Sequence, residues 1–229
     1  MILAQAASSL FDWDWVGRNI DSIWRRTVEH LALTGVALVA GIVIASALAA
    51  VAIRKPRTYP TITAATGLLY TIPALAVFAL VAPLVGIGTV TQRFITAEIA
   101  LISYTLLILI RNIVTGVNGV PAGVREAAAG MGYSEGERIR QIELPLALPA
   151  VMAGIRIATV TVIGLVTVTS LLGLGGLGFF ILDGLRRSII FPTEIIVGVV
   201  LSVALAAALD IGLLGIGRVL TPWAREGDR

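Results

Sequence analysis

The chain contains no cysteine, and it has only one histidine and one lysine among its 229 residues. The absence of cysteine excludes disulfides, cysteine-ligated zinc sites, iron–sulfur clusters and cysteine nucleophiles. The single lysine lies in Arg54-Lys55-Pro56, with no glycine before it. A phosphate-binding P-loop requires Gly-Lys followed by serine or threonine, so the sequence predicts no P-loop ATPase site in this chain.

Charge is also scarce, because 14% of the residues are charged and 57% are hydrophobic, with a mean hydropathy of +0.95. A soluble globular domain carries about 25% charged residues. The shortfall predicts a polytopic protein of the lipid bilayer with one domain. The net charge of +3 is too small and too scattered to predict a nucleic-acid partner. It is better explained as loop charge that orients a membrane protein.

Five apolar stretches approach or exceed the length of a membrane-spanning helix, about 20 residues. The predicted fold is an all-α polytopic membrane protein with transmembrane helices at residues 31–53, 63–85, 96–111, 150–172 and 195–217. Residues 1–30 are predicted to be an interfacial segment because tryptophans alternate there with charges. Residues 218–229 are predicted to form a cytoplasmic tail. The excess of basic residues in loops on one side predicts an outside N-terminus and a cytoplasmic C-terminus.

Small residues recur every four positions in two spans and predict helix-packing faces. The first set is Ala37, Gly41, Ala45 and Ala49, and the second is Gly198, Ser202, Ala206 and Asp210. Because Asp210 shares the second face, we interpret it as a structural intramembrane charge that meets protein rather than lipid. Arg156, inside the fourth span, is its predicted partner.

A polar segment at residues 112–149 interrupts the hydrophobic sequence and must face water. Pro121 to Val124 opens a predicted short helix, which Gly130 or Gly132 ends because glycine tolerates a left-handed cap. Ser134 and Glu137 have the spacing of a capping box and predict the start of a second short helix. Leu144-Pro145 is predicted to end that helix. The first helix has an alanine-rich surface, which suits docking into a groove of a partner.

Three further groups of residues allow either a structural or a functional interpretation. Arg156, Thr159, Thr167 and Ser170 fall near one face of the fourth span. They predict either helix–helix hydrogen bonding or part of a translocation path. Proline in mid-span kinks a helix, so the side of the second span could line a path or only pack. Its residues are Thr66, Tyr70 and Pro73.

The glycines after the fourth span satisfy G-x-G-x-x-G, but they follow an apolar helix rather than a strand. An irregular re-entrant turn is therefore predicted instead of a dinucleotide site. A gating role is a hypothesis for Gly173, Gly175 and Gly176.

The polar segment resembles the EAA motif of permease subunits of ATP-binding cassette importers. The matching residues are Glu126, Ala127, Ala128, Gly130, Gly132, Ile142, Leu144 and Pro145, with Arg125 and Ala129 beside them. Tyr70 to Ala76, Pro83 to Gly88, Leu171 to Gly178 and Glu29-His30-Leu31 are similar to permeases for glycine betaine, choline, carnitine and related osmoprotectants. Family members often carry glutamine and serine where this chain has Tyr70 and Ala74.

The resemblance implies a type I importer permease fold in which residues 31–217 form the permease domain and the EAA loop carries a cytoplasmic coupling helix. It also implies three protein partners: a cytoplasmic ATP-binding subunit, an extracytoplasmic substrate-binding protein and a second permease subunit, identical or homologous. ATP would be used by the partner, and no cofactor or metal by this chain, which is then not an enzyme. The location implied is a bacterial cell membrane.

The sequence allows other functions beside this one. The same architecture could carry another small solute, such as ergothioneine or an amino acid. From different classes, the chain could be an ATP-independent carrier or channel, or a membrane scaffold without transport. The predicted docking segment argues against a carrier or channel, because such a protein needs no ATPase cleft.

Overall fold

The computed structural model describes residues 11–187 and 192–224. Within these ranges the chain is helical and has no strand, which confirms the predicted all-α class. In the described ranges four helices are long and apolar enough to cross a membrane, and one bent pair of shorter helices is a fifth candidate. Residues 1–10 of the predicted interfacial segment and 225–229 of the predicted tail lie outside the described residues.

Three of the long helices extend beyond the predicted spans at both ends because flanking residues continue the same hydrogen-bonded turns. In chain order they are α1 (Trp13–Arg18), α2 (Ile20–Arg54), α3 (Tyr59–Thr71), α4 (Ala74–Val85), α5 (Val90–Asn118), α6 (Ala122–Gly130), α7 (Glu135–Arg138), α8 (Leu144–Val166), α9 (Gly178–Arg186) and α10 (Pro192–Leu220). A π-turn, Ile139–Glu143, joins α7 to α8, and a 3₁₀ segment, Thr167–Leu172, follows α8.

The predicted second span is not one kinked helix. Helix α3 ends at Thr71, Pro73 caps the start of α4, and the two helices are bent by 99°. Proline has no backbone N–H and disfavours a helical conformation in the residue before it, which breaks a helix at this point. Thr66 and Tyr70 therefore belong to α3, whereas Pro73 stands outside it.

The polar segment forms the two predicted short helices, α6 and α7. Pro121 precedes α6, and Gly132 after it has a φ of +87°, a left-handed conformation that favours glycine. Ser134 and Glu137 form both hydrogen bonds of the predicted capping box. The local signals for the start and end of α6 and for the start of α7 are thus confirmed.

The prediction that Leu144-Pro145 ends the second short helix is wrong. The chain continues without a break from α7 through the π-turn into α8, and Pro145 lies in the first turn of α8. A proline is tolerated where its missing N–H is not needed by a regular α-helical bond. The π-turn immediately before it departs from the i→i−4 pattern, so this helix passes a proline that would otherwise stop it.

The predicted fourth span also ends differently. Regular α-helix stops at Val166, and Thr167–Leu172 is a 3₁₀ segment. A 3₁₀ segment has 3.0 rather than 3.6 residues per turn. The helical face assumed for Arg156, Thr159, Thr167 and Ser170 therefore does not continue beyond Val166.

The described chain divides into two compact units, each with its own packing. Among the described residues, one consists of 11–37, 72–102, 160–187 and 192–208, and the other of 38–71, 103–159 and 209–224. The first unit has a core of Ile23, Leu177, Phe180 and Val197.

The core of the second unit includes Ala45, Ala49 and Ala52 of α2 and Leu109 and Ile110 of α5. Its small residues allow close helix approach. A Cβ added at Gly41 would lie 2.1 Å from the Thr105 hydroxyl oxygen. The predicted small-residue face of the first span is thus a packing face.

The N-terminal tryptophans differ in their surroundings. Trp15 packs edge-to-face on Phe180 with ring centroids 5.9 Å apart. Trp13 and Trp24 remain largely exposed, with 76% and 70% of their surface accessible. Exposed tryptophans at the start of an apolar helix suit a membrane interface, and the interfacial location of this segment stays a prediction.

Candidate functional site

The alanine-rich helix α6 presents a smooth exposed surface. Glu126, Ala127, Ala129 and Gly130 are exposed, whereas Ala128 is fully buried and holds the helix against the rest of its unit. A Cβ added at Gly130 would meet no atom within 4 Å. The exposed side of α6, with Met131 exposed just beyond it, is free of internal contacts that a partner would have to displace.

Arg125, which the sequence predicts to be a docking residue, is half-buried, and its place in docking stays a prediction. Its Nη2 donates a hydrogen bond to the backbone carbonyl of Val117 at 2.6 Å, and its Nε lies 3.6 Å from Oε1 of Glu143. The remaining motif residues lie on the π-turn and the first turn of α8. Ile142 and Pro145 are half-buried and Leu144 is exposed.

Glu143 is the charged residue in this region that the sequence analysis missed. Its side chain is 4% exposed, and Oε1 accepts a hydrogen bond from Arg138 Nε at 2.8 Å. A π-turn closes i→i+5 rings, so residues five apart become neighbours on it. A sequence alone gives no sign of a π-turn. Glu143, between Ile142 and Leu144, is therefore not predicted to be buried or to contact Arg138.

Arg156 and Asp210 form the predicted ion pair. The guanidinium donates two hydrogen bonds to the carboxylate, from Nε to Oδ1 at 2.8 Å and from Nη2 to Oδ2 at 2.7 Å. This bidentate geometry is the strongest arrangement for an arginine and a carboxylate. Each charge is thereby neutralised within one unit, as a charge in an apolar span requires.

The hydroxyl groups predicted to line a path bond to their own backbone. Thr66 donates to Ile62 O and Thr159 to Ile155 O, both at 2.8 Å, and both residues are buried. Thr167 donates to Gly164 O and Ser170 to Thr167 O. Tyr70 packs edge-to-face on Tyr104 with centroids 5.7 Å apart, which brings together two aromatic rings that are far apart in sequence.

The glycine-rich turn is held by side chains of α2. The Gly176 N–H donates to the Glu29 carboxylate at 3.2 Å, and Glu29 also accepts from Arg26 at 2.9 Å. His30 is fully buried. The Leu177 N–H donates to its Nδ1, so its Nε2 carries the proton and donates to Ile163 O at 3.1 Å.

Glycine is required at this turn by space as well as by conformation. Gly173 and Gly176 have φ values of +68° and +82°. A Cβ at Gly178 would lie 1.9 Å from the Thr167 carbonyl oxygen, a backbone atom that no side-chain rotation can move, whereas one at Gly175 would meet the movable end of the Glu29 side chain. The turn is irregular, as predicted, and it is tightly packed. Its role in gating stays a prediction.

Glu98 of α5 is another residue that the sequence analysis did not single out as functional. It is 5% exposed, and neither carboxylate oxygen has a hydrogen-bond partner among the described residues. Burial of an unpaired carboxylate is costly in an apolar span. The sequence shows only that Glu98 lies near the end of the predicted third span, and this position does not predict that its side chain is buried.

A metal centre is not indicated by the described ranges. No group of three or more histidine, aspartate or glutamate side chains there has the geometry to hold an ion. The candidate site instead consists of the exposed alanine-rich helix α6, the buried Glu143 carboxylate between two arginines, the Arg156–Asp210 ion pair and the hydrogen-bonded glycine turn.

The chain is similar over most of its length to membrane components of known transport systems. Residues 37–225 match the family described as binding-protein-dependent transport system inner membrane component. The chain is 38% identical to the choline transport system permease protein OpuBB of Bacillus subtilis, over 86% of this chain and 88% of that protein. It is 37% identical to the glycine betaine/carnitine/choline transport system permease protein OpuCB of the same species, over 88% and 90%.

A third relative comes from another genus. The osmoprotectant import permease protein OsmW of Salmonella typhimurium is 35% identical, over 86% of this chain and 90% of that protein. Among solved structures, the inward-facing MetNI methionine ABC transporter has a TM-score of 0.76 at 23% identity, covering 92% of this chain and 100% of that one.

An amino acid ABC transporter solved with histidines gives a TM-score of 0.72 at 14% identity, over 92% and 98% of the two chains. At these identities the structural likeness shows the fold alone. The predicted type I importer permease fold is thereby confirmed.

Proposed function

Because this chain belongs to the family of binding-protein-dependent transport system inner membrane components, we propose that it imports an osmoprotectant with a quaternary amine, such as choline, glycine betaine or carnitine. The chain is the multi-pass transmembrane permease subunit of an ATP-binding cassette importer. The observation that carries the substrate class is identity of 35–38% over at least 86% of this chain to permeases named for these solutes. The likeness to amino acid transporters is one of fold and does not favour an amino acid substrate.

The proposed division of labour places ATP hydrolysis in a separate cytoplasmic subunit. The chain has no Gly-Lys-Ser/Thr sequence, and a P-loop needs that lysine and hydroxyl at the phosphates. The exposed side of α6 is the surface proposed to dock in the ATPase. This arrangement puts α6, α7 and the C-terminus in the cytoplasm and the N-terminus outside.

Two further partners belong to the proposal. A second permease chain, identical or homologous, completes the translocation path, because the described part of one chain supplies only four spans and one bent pair. A substrate-binding protein delivers the solute to the outer mouth. The glycine-rich turn Gly173–Gly178 and the residues Thr66, Tyr70, Pro73, Arg156, Thr159, Thr167 and Ser170 are proposed to lie at the gate or along the path.

The substrate is tested by uptake into proteoliposomes that contain the complete importer. With ATP enclosed and the binding protein added outside, we expect accumulation of radiolabelled choline, glycine betaine or carnitine and none of methionine or histidine. ADP in place of ATP is expected to abolish uptake, because the conformational cycle needs hydrolysis. Uptake of histidine or methionine alone would contradict the substrate class, and uptake that persists with ADP would contradict an ATP-driven importer.

The docking surface is tested with substitutions on α6 that spare the fold. Glu126→Lys and Gly130→Asp change exposed positions, and Gly130 has open space for a side chain. Residues at the centre of an interface contribute about 2 kcal/mol or more, so affinity for the ATPase is expected to fall about thirtyfold. Co-purification in mild detergent, with titration of the ATPase, measures the loss.

The matched control for Gly130→Asp is Gly136→Asp. Gly136 is exposed in α7 and also has open space around its Cα. Gly136→Asp introduces the same charge one helix away from α6. We expect it to leave the affinity for the ATPase within about twofold of that of the parent, as distant surface changes do. Equal loss in both variants would assign the effect to charge on the cytoplasmic surface rather than to docking on α6.

A further inference from the structure

We infer that Glu143 is a positioning residue that fixes the docking helix α6 to the span α8, so that movement of α6 is transmitted into the membrane. This inference rests on the proposed function, in which α6 receives the force of the ATPase. The residues that carry it are Arg125 on α6, Arg138 on α7 and Glu143 at the end of the π-turn.

Glu143 joins three consecutive pieces of the chain through one carboxylate. Oε1 is 2.8 Å from Arg138 Nε and 3.6 Å from Arg125 Nε. Arg125 in turn bonds the carbonyl of Val117 near the end of α5. The network therefore ties the end of α5, the docking helix and the start of α8 to a single buried group.

The linkers that join α6 to its neighbouring helices allow it to move. It is joined to α5 by a short linker that contains Gly119 and to α7 by one that contains Gly132. Glycine permits wide backbone rotation. Arg125 makes all the polar side-chain contacts of α6 that the described chain shows. Without Glu143, α6 would keep the hydrogen bond from Arg125 to Val117, the packing of Ala128 and its two glycine-containing linkers, and it would lose its ion pair with the π-turn before α8.

Burial makes the Glu143 contacts stiff. The Glu143 side chain is 4% exposed, whereas those of Arg125 and Arg138 are 31% and 27% exposed. A carboxylate excluded from water cannot exchange its partners for solvent at low cost. Both arginines contact the carboxylate from half-exposed positions, and Nη2 of Arg125 also donates to the Val117 carbonyl. Glu143 is thus the buried member of the cluster, and Arg125 and Arg138 contact it from its more exposed side.

The distance between α6 and the π-turn tests the anchor directly. The chain has no cysteine, so Ala129→Cys and Gln141→Cys, both exposed, provide two sites for spin labels without further changes. We expect one narrow distance distribution in the labelled parent. Glu143→Gln is expected to broaden it, because the amide keeps the shape of the side chain and loses the charge that holds both arginines.

Two further variants keep this experiment decisive. Arg125→Gln leaves the Arg138–Glu143 contact in place and is expected to broaden the distribution as well, which covers the case in which Glu143→Gln fails to fold. Glu135→Gln makes the same chemical change at an exposed residue of α7 and should leave the distribution narrow. The inference is overturned if Arg125→Gln, and Glu143→Gln where it folds, give distance distributions that superimpose on that of Glu135→Gln.

A functional measurement separates a transmission role from a merely structural one. In proteoliposomes of the complete importer, the choline imported per ATP hydrolysed is expected to fall at least about fivefold for Glu143→Gln, the lower end of typical coupling between sites. A loss of folded protein would lower import and hydrolysis together and leave this ratio unchanged, so an unchanged ratio would overturn the transmission role.

Failure of the proposed substrate has a different signature. If the parent importer does not import choline, the substrate class is contradicted. The label distances require no substrate and still decide whether Glu143 fixes α6. The two conclusions can therefore fail separately.

Discussion

Replacement of Gly178 by alanine is expected to destabilise the protein by about 3 kcal/mol or more, the upper part of the usual range for overpacking. A Cβ at this position would lie 1.9 Å from the carbonyl oxygen of Thr167 and 2.6 Å from its Cα and carbonyl carbon. These are backbone atoms of the 3₁₀ segment, so no side-chain rotation can relieve the contact. The turn between α8 and α9 would have to open.

The measurement is thermal stability in detergent, followed by fluorescence-detected size exclusion. Gly164→Ala is the matched control, because Gly164 lies within α8 in the same unit and has no atom within 4 Å of the added Cβ. Alanine in a helix interior is favoured over glycine by about 0.5–1 kcal/mol. The two substitutions should therefore shift stability in opposite directions. Equal stability would contradict the close approach of Gly178 to Thr167.

The second large effect is expected at the ion pair in the membrane. Arg156→Gln or Asp210→Asn leaves the partner charged and without its two hydrogen bonds, which run at 2.8 and 2.7 Å in the intact pair. An unpaired charge in a span opposes membrane insertion and folding. The amount of folded protein in the membrane is expected to fall several-fold, because abundance responds strongly to small losses of stability.

Two double variants decide what the pair contributes. Arg156→Asp with Asp210→Arg restores opposite charges, and Arg156→Leu with Asp210→Leu removes both. Neither double variant leaves an unpaired charge in the span, and apolar replacement of both members of an ion pair is often neutral even where the pair is buried. Each double variant is therefore expected to recover folded protein over the single variants. Failure of both would contradict a pairwise interaction as the cause of the loss.

Uptake then separates the two interpretations that the sequence left open for Arg156. A purely structural pair predicts that the leucine double variant transports at the parent rate for each folded complex. A place on the translocation path predicts that its rate falls although its abundance is restored. Quantified membrane protein, measured beside solute uptake, provides the normalisation.

Features governed by neighbouring residues could be predicted from the sequence. The capping box of Ser134 and Glu137 needs only its own backbone turn, and the lengths of the apolar stretches predict the four long helices. The pairing of Arg156 with Asp210 was also predictable, because two opposite charges in apolar spans have few alternatives to each other. Asp210 on the small-residue face strengthened that expectation.

Features that depend on distant packing could not be predicted. Pro145 was expected to end a helix, and the π-turn that lets the helix continue has no sequence signature of its own. His30 bonds to backbone atoms of Ile163 and Leu177, far along the chain, and a single histidine near a span gives no sign of those partners. The buried positions of Glu98 and Glu143 likewise follow from tertiary contacts rather than from local pattern.

The π-turn at Ile139–Glu143 also sets how far α8 is rotated about its axis relative to α7. One extra residue in a helix displaces every later side chain by one position, which is about 100° around the axis of an α-helix. The face of α8 that buries Ala147 and Ala158 is therefore aligned to the capped start of α7 by these five residues. Deletion of a single residue there would turn the apolar span out of phase while leaving its composition almost unchanged.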